Sequence, residues 1–453
     1  MQKGSLFEKK SIQQLIIIFS FPLICSLVLE SLTSMVDTAF AGHLGTNSAD
    51  ALAAMGMLSP ILQLLIATQL IFGVSTSIVI SKRLGEKDND KINSTFKVGF
   101  YASVVFSAVI SLMIFILKEY LLNIFGAKGD VRVLANEYLN IAIVFNVFSS
   151  VGYMLVNNIR AFGYPKIEIV TSVCSTLINI VFNIIFTFVF NMGIKGIALS
   201  TLLSEVFYFS FATIFLINKK LWFKRTLLKI EEAKNILISL VKIGFVQFLA
   251  QSLNSVSGFI INKQLLTYGS ISYIGGWSIC SNINMIILLP LIGLTQGVQS
   301  VIAYFIGSED KTKEATAKKT VTKYSLIYAI SASTLVFIFA NNITYIFTND
   351  TNLAALSVNI VRIIVIGFPF LGIIYTMITF MQVSGEEDKA SKIELVRQIL
   401  LLIPLVLILP IIFSRYNIFN IKPQLSIFFA IPISSIVLVI MYAKYLRKHM
   451  NKK

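Results

Sequence analysis

Two carboxylates, Glu30 and Asp37, sit in an apolar stretch running from Leu15 to Ala41. Seven residues is close to two helical turns, so a helix puts both on one face, with Thr33 and Ser34 between them. An ionisable group inside a membrane helix is expensive, and by default it marks an ion or substrate pathway. A plainer reading is also open: Asp37 caps the helix end at the water interface, since Gly42 and Gly45 follow closely. The chemistry at stake is reversible: a carboxylate can hold either a proton or a cation.

The elements that must position these groups are membrane helices. The chain has 453 residues, 56% hydrophobic and 13% charged, with a mean hydropathy of +0.81. A soluble protein carries about 25% charged residues. Apolar runs of membrane-spanning length give twelve spans, near 15–41, 51–80, 95–117, 133–159, 167–190, 194–217, 237–262, 275–306, 321–346, 354–383, 391–413 and 425–446. Ala39-Phe40-Ala41 resembles a signal-peptidase site, but the apolar run before it is too long for a leader.

The net charge of +16 reflects topology. With the N-terminus inside, 30 of the 38 Lys and Arg fall on the cytoplasmic side and seven on the other. That bias predicts a multi-pass protein of the cell membrane with both termini cytoplasmic. No nucleic-acid partner is expected. Arg362 is the one cation expected well inside a span; snorkelling to the outer interface and pairing within the bundle are both open.

A constant offset of 222 relates Gly85 to Gly307, Lys97 to Lys319, Phe148 to Phe370 and Gly163 to Gly385. The fold class is therefore all-α and integral to the membrane, with two six-helix bundles in tandem: residues 1–217, a linker at 218–236, and 237–453. An even number of spans per half implies a pseudo-twofold along the membrane normal, with the site in the cleft. Asp37 plus 222 is Phe259, so the carboxylate has no twin. The Lys/Arg-rich linker with Trp222 and Phe223 reads as an amphipathic cytoplasmic stretch.

The fifth span is polar, and Asn179 and Asn183 are i,i+4, stacking their amides on one face. The seventh carries Gln247, Gln251 and Asn254 on one face. In both cases interhelical hydrogen bonding is the alternative to a binding role. Cys25, Cys174 and Cys280 are isolated, and His43 and His449 lie at opposite ends of the chain. They imply no disulfide, metal or His-based site. The chain lacks a phosphate-binding GxxxxGK[ST] loop, HExxH and a GxSxG elbow, so neither ATP use nor an enzyme is expected.

Val36-Asp37-Thr38, Gly42-His43-Leu44-Gly45 and Ala51-Leu52-Ala53-Ala54 together resemble the first-helix motif of the multidrug and toxic compound extrusion (MATE) transporters. Arg83-Leu84-Gly85-Glu86 and Asn158-Ile159-Arg160-Ala161-Phe162-Gly163 add to the likeness. The resemblance implies an exporter, monomeric in the bilayer, that trades H+ or Na+ for cationic, amphipathic drugs, with no other cofactor. It carries an ion-coupling role onto Asp37, Asn179, Asn183 and Thr201. Asn183 stands where some members have a second aspartate, leaving one formal negative charge in that pocket. Tyr138 resembles a fourth-helix tyrosine beside it, and Glu30, Gln251 and Asn254 are candidates for the substrate cavity. Asn254 occupies the seventh-helix position of a sodium-binding glutamate in another branch. The rival within the superfamily is a flippase for a lipid-linked oligosaccharide or cell-wall precursor. Such a carrier would need cavity cations for a pyrophosphate.

Overall fold

The computed structural model describes residues 5–44, 48–224, 228–268, 271–416 and 422–443. Gly45, Arg225 and the outermost residues of both termini, on which parts of the motif, linker and topology readings rest, lie outside these. The described chain is almost wholly helical. After a short turn of helix at Ser5–Lys9 come α1 (Ile12–Gly42), α2 (Ser48–Gly85), α3 (Asn89–Ile124), α4 (Gly129–Ala161), α5 (Pro165–Ile184) and α6 (Gly193–Asn218). Then follow α7 (Ile230–Tyr268), α8 (Ile271–Gly307) and α9 (Lys311–Ile338), the last trailed by Ala340–Phe347. The tenth span, α10, is broken: Thr351–Val365 and Phe368–Val383 meet at 45° around Gly367. Two more complete the set, α11 (Glu387–Leu395, continuing through Ile403–Tyr416) and α12 (Pro423–Met441). Among the described residues eleven helices, or twelve spans with the bent pair counted as one, are long and apolar enough to cross a bilayer.

The repeat seen in the sequence has local structure behind it. Asp88 caps α3 by accepting from the Lys91 N–H at 3.0 Å, and 222 residues later Asp310 caps α9 by accepting from Lys313 N–H at 3.0 Å. Gly163 and Gly385, also 222 apart, have φ of +89° and +80°. Each ends a helix in the left-handed region that glycine adopts without strain. The same wide turn-closing bond follows: Tyr164 N–H to Ile159 O at 3.1 Å, Glu386 N–H to Met381 O at 2.8 Å.

Gly85 and Gly307 mark a close crossing. A Cβ on Gly85 would stand 2.1 Å from the Tyr304 carbonyl oxygen, and one on Gly307 1.9 Å from that of Lys82. The C-terminal ends of α2 and α8 thus meet backbone to backbone, which small residues permit in membranes.

The chain divides into two compact units that do not follow helix ends. One is Met1–Lys10, Phe21–Gln251 and Ala303–Glu309; the other is Ser11–Ser20, Ser252–Ile302 and Asp310–Lys453. In the first, the N-terminal part of α7 packs on α2, where a Cβ on Gly244 would lie 2.0 Å from Ile71 O. In the second, the N-terminal end of α1 packs on α8, with Gly297 against Ser20. The described part of the linker keeps Lys219, Lys220 and Lys224 exposed and turns its aromatic residues inward. Trp222 and Phe223 fold back onto Phe96 and Phe100 with ring centroids 5.3–5.6 Å apart. Helix α7 already begins at Ile230, because Glu231 and Glu232 suit a first helical turn.

The interior of the first unit relies on small and polar residues as well as apolar ones. Ser103, Ser107 and Ser111 form a buried stripe along α3. The Asn146 amide of α4 donates to Ser111 Oγ at 3.0 Å and to Ser107 O at 3.4 Å. The opposite face of α3, including Val105, Val109, Leu112 and Ile116, is exposed and apolar, as lipid contact requires.

Candidate functional site

Asp37 is 5% exposed, and its carboxylate is held from two helices. Asn183 Nδ2 of α5 donates to Oδ1 at 2.7 Å, and Thr201 Oγ1 of α6 lies 3.1 Å from Oδ2. The second proton of the Asn183 amide goes to Asn179 Oδ1 at 3.0 Å, and Asn179 Nδ2 donates to Thr201 Oγ1 at 3.3 Å. Ser200 Oγ donates to Asn183 Oδ1 at 2.6 Å. The four ion-coupling residues expected from the sequence therefore form one network. It is oriented for a carboxylate: Asn183 turns an N–H, not its oxygen, toward Asp37. Amide oxygens from Asn179 and Asn183 could ligate a hard cation only after both amides turn over.

Local structure accounts for this placement. The i,i+4 spacing stacks Asn179 and Asn183 toward α1 and α6, and both are fully buried. Immediately after them α5 widens into a π-helical turn, Ile185–Val189. Such turns recur at functional sites because they shift the register of the side chains that follow.

Asp37 opens onto a cavity of about 480 Å³ whose lining residues all belong to the first unit. Helix α1 contributes Glu30, Thr33 and Asp37; α2 Gln63 and Gln69; α4 Tyr138, Ser149 and Tyr153; α5 Glu168 and Thr176; α6 Thr201, Glu205 and Tyr208. Thr33 and Thr176 hydroxyls hydrogen-bond at 3.1 Å, tying α1 to α5. Glu30 and Tyr138 thus line the cavity as expected. Gln251 reaches its edge, its amide donating to Gln63 Oε1 at 2.5 Å. Asn254 does not line it. It lies in the second unit, where its Oδ1 accepts from Gln398, which in turn accepts from Ser257 Oγ at 2.7 Å.

Charge around the site goes beyond what the sequence suggested, and one expectation needs correcting. The ion pocket itself holds one acid, but the cavity it opens onto holds four: Glu30, Asp37, Glu168 and Glu205. Arg362 is also not the one cation inside a span. Arg160, 2% exposed, pairs with Glu168 through Nη1 at 2.8 and 3.0 Å, while Nη2 donates to Asn157. In the second unit Arg397 pairs with Glu394 at 2.9 Å, both buried. Arg160 and Arg397 had both been counted as cytoplasmic charges: Arg160 follows the span read at 133–159, in a helix that runs on to Ala161, and Arg397 lies six residues inside the span read at 391–413; both side chains are buried. Arg362 lies with its guanidinium 5.5 Å from the Phe337 ring centroid and Nε 3.4 Å from Phe337 O. Glu205 had a readable signal, an acid in the middle of an apolar run. Glu168 stands second in the fifth span as read, 167–190, where an acid passes for an interfacial charge.

The two halves also match one sequence family separately. The MatE family model matches residues 22–185 and again residues 247–408. The chain belongs to the MatE family. Relatives include the multidrug export protein MepA of Staphylococcus saprophyticus, 25% identical over 414 residues, which are 91% of this chain and 89% of that protein. MepA of Staphylococcus haemolyticus is 26% identical over 409 residues, 90% of this chain and 89% of that one. The fold is that of MATE transporters of known structure. A MATE in complex with MaD3S superimposes with a TM-score of 0.89 at 21% identity, covering 99% of this chain and 98% of the other. The outward-facing form of a multidrug resistance MATE transporter of the MOP superfamily gives 0.88 at 21% identity over the whole of both chains. Members of this family are membrane transport proteins, and this one is a multi-pass membrane protein.

Proposed function

We propose that the chain exports cationic, amphipathic drugs from the cell, exchanging them for H+ or Na+ at Asp37. The observation that carries this reading is one buried carboxylate, held by Asn183 and Thr201, at the wall of a cavity of drug-binding size lined by acids and aromatic rings. The coupling needs no further device. Desolvation disfavours the ionised carboxylate, and a bound cation favours it, so protonation and cation binding compete at one atom pair. Antiport follows when the ion-loaded and drug-loaded forms prefer opposite facing states. The names of the MepA relatives, multidrug export proteins, agree with this reading.

Residues 1–217 and 237–453 act as the two lobes of a monomer in the cell membrane, both termini inside, with 218–236 joining them on the cytoplasmic surface. The flippase alternative is disfavoured by charge: among the described residues no Lys or Arg lines the cavity, so a pyrophosphate would meet four acids and no cation. The test is drug efflux from vesicles of fixed orientation under separately imposed proton and sodium gradients. Uptake or release of a fluorescent cation driven by one gradient and collapsed by its ionophore supports the reading. Transport indifferent to both gradients would refute antiport.

A further inference from the structure

The second unit keeps charge of its own inside the membrane, at Glu394 and Arg397 of α11. The guanidinium spends Nε and Nη2 on one oxygen, Oε2 of Glu394, at 3.3 and 2.9 Å. Nη1 makes no hydrogen bond among the described residues, and the Arg397 side chain keeps 10% of its surface open. The edge formed by Nη1 and the second proton of Nη2 is therefore unused. Such an edge matches the two oxygens of a carboxylate. Polar groups surround the pair. Gln398 is fully buried; its amide donates to Asn254 Oδ1, and its Oε1 accepts from Ser257 Oγ at 2.7 Å, both on α7. Tyr375 of α10 is half-buried and has Arg397 and Glu394 as its charged neighbours. Asn254 is exposed although it lies well inside α7. An exposed amide at that depth faces a wetted space, because lipid offers it no partner.

The sequence repeat gives these positions a meaning. Subtracting 222 turns Tyr375, Glu394, Arg397 and Gln398 into Tyr153, Ser172, Ser175 and Thr176, and all four of those line the cavity of the first unit. The cross-tie is kept as well: Gln398 joins α11 to α7 as Thr176 joins α5 to α1. Both helices carry a π-helical turn, Ile185–Val189 after α5 and Val396–Leu402 within α11, and such turns recur at functional sites. Where the first half has two serines, the second has an acid and a base.

We propose that Glu394 and Arg397 form a ligand site in the second half, with Gln398, Asn254 and Tyr375 as its polar wall, and that it takes amphipathic zwitterions. The ligand carboxylate lies on the unused edge of Arg397, and the ligand ammonium lies against Glu394, whose Oε1 the guanidinium leaves alone. Charge selects this class. The pair is neutral as it stands, so a simple anion or cation would leave a net charge in a site of low dielectric, which is costly. A zwitterion adds none. The site itself stands on the geometry of the second unit; that its ligand is then exported rests on the exporter reading above.

The test uses the purified full-length protein and three fluorescent probes with one dansyl ring: Nε-dansyl-lysine, a zwitterion; dansylcadaverine, which lacks the carboxylate; and 6-(dansylamino)hexanoate, which lacks the amine. Arg397→Met combined with Glu394→Met keeps the volume and strands no charge. Expected is a loss of at least about tenfold in affinity for dansyl-lysine in the double variant. Dansylcadaverine affinity, which also reports folding, should change by no more than about threefold. In wild type the hexanoate should bind more weakly than dansyl-lysine. Dansyl-lysine affinity unchanged by the double substitution overturns the proposal, as does an equal loss for dansyl-lysine and dansylcadaverine. A wild type that binds dansylcadaverine but not dansyl-lysine overturns it too. Because binding is read directly, a protein that holds dansyl-lysine through Arg397 but exports none of the probes would sink the exporter reading and leave the site standing.

Discussion

Arg160→Met breaks the buried pair with Glu168 and tests whether that pair holds the inner wall of the cavity together. Both side chains are 2% exposed, the pair is made through two contacts of 2.8 and 3.0 Å, and Arg160 also holds Asn157. Removing one partner of such a pair typically costs about 3–5 kcal/mol, because the other is left charged or unsatisfied in a dry site. Glu168→Gln should cost less, since its amide keeps an acceptor for the guanidinium. In the double variant no charge is stranded, so the losses should not add, and the coupling should reach about 1–3 kcal/mol. In a unit of this size each kcal/mol moves the midpoint by about 2–4 °C. Arg160→Met should therefore lower the thermal midpoint by about 6–20 °C, with much of it recovered in Arg160→Met/Glu168→Gln. Thermal unfolding in detergent, followed by a thiol-reactive dye on the three native cysteines, measures this. Losses under about 1 kcal/mol that simply add would mean that the pair contributes nothing specific.

Asn179→Ala or Asn183→Ala should weaken the ion dependence of efflux, since each removes a member of the Asp37 network, whereas Asn254→Ala, away from the cavity wall, should leave that dependence in place; vesicle assays separate the two outcomes. Gly85→Ala puts a methyl 2.1 Å from the Tyr304 carbonyl, so it should reduce the yield of folded protein on size-exclusion chromatography, with Gly56→Ala, in open space, as the neutral control. The Asp88 carboxyl is held below the usual carboxylate range, first by the Lys91 backbone N–H. A depressed folded-state value means that its stabilisation is present above the unfolded pKa and is lost as pH falls through the folded one. Asp88→Ala should thus reduce thermal stability at neutral pH and match wild type in acid.

Much of the site was legible because its signals are local. An acid in an apolar run, two asparagines at i,i+4 and a glycine offset of 222 each survive without knowledge of packing. Glu168 and Arg160 did not, because neither is conspicuous alone; the pair exists only once the turn at Gly163 folds α5 back beside α4. Asn254 shares a helical face with Gln251, yet the two belong to different units, since α7 passes from one to the other between them. Periodicity fixes a face of a helix but not which neighbour that face meets along its length. The amide orientation at Asn183 was equally out of reach, being decided by Ser200 claiming its oxygen.

The most direct test of Asp37 as the coupling carboxylate is ion release on drug binding by the purified protein. Adding a cationic drug to wild type in weakly buffered detergent solution should release protons, or sodium ions preloaded as a radiotracer, in proportion to drug bound. Asp37→Asn keeps the size of the side chain and removes the charge, and should bind drug without releasing either ion. Release undiminished in Asp37→Asn, at matched drug occupancy, would contradict the assignment and place the exchange elsewhere.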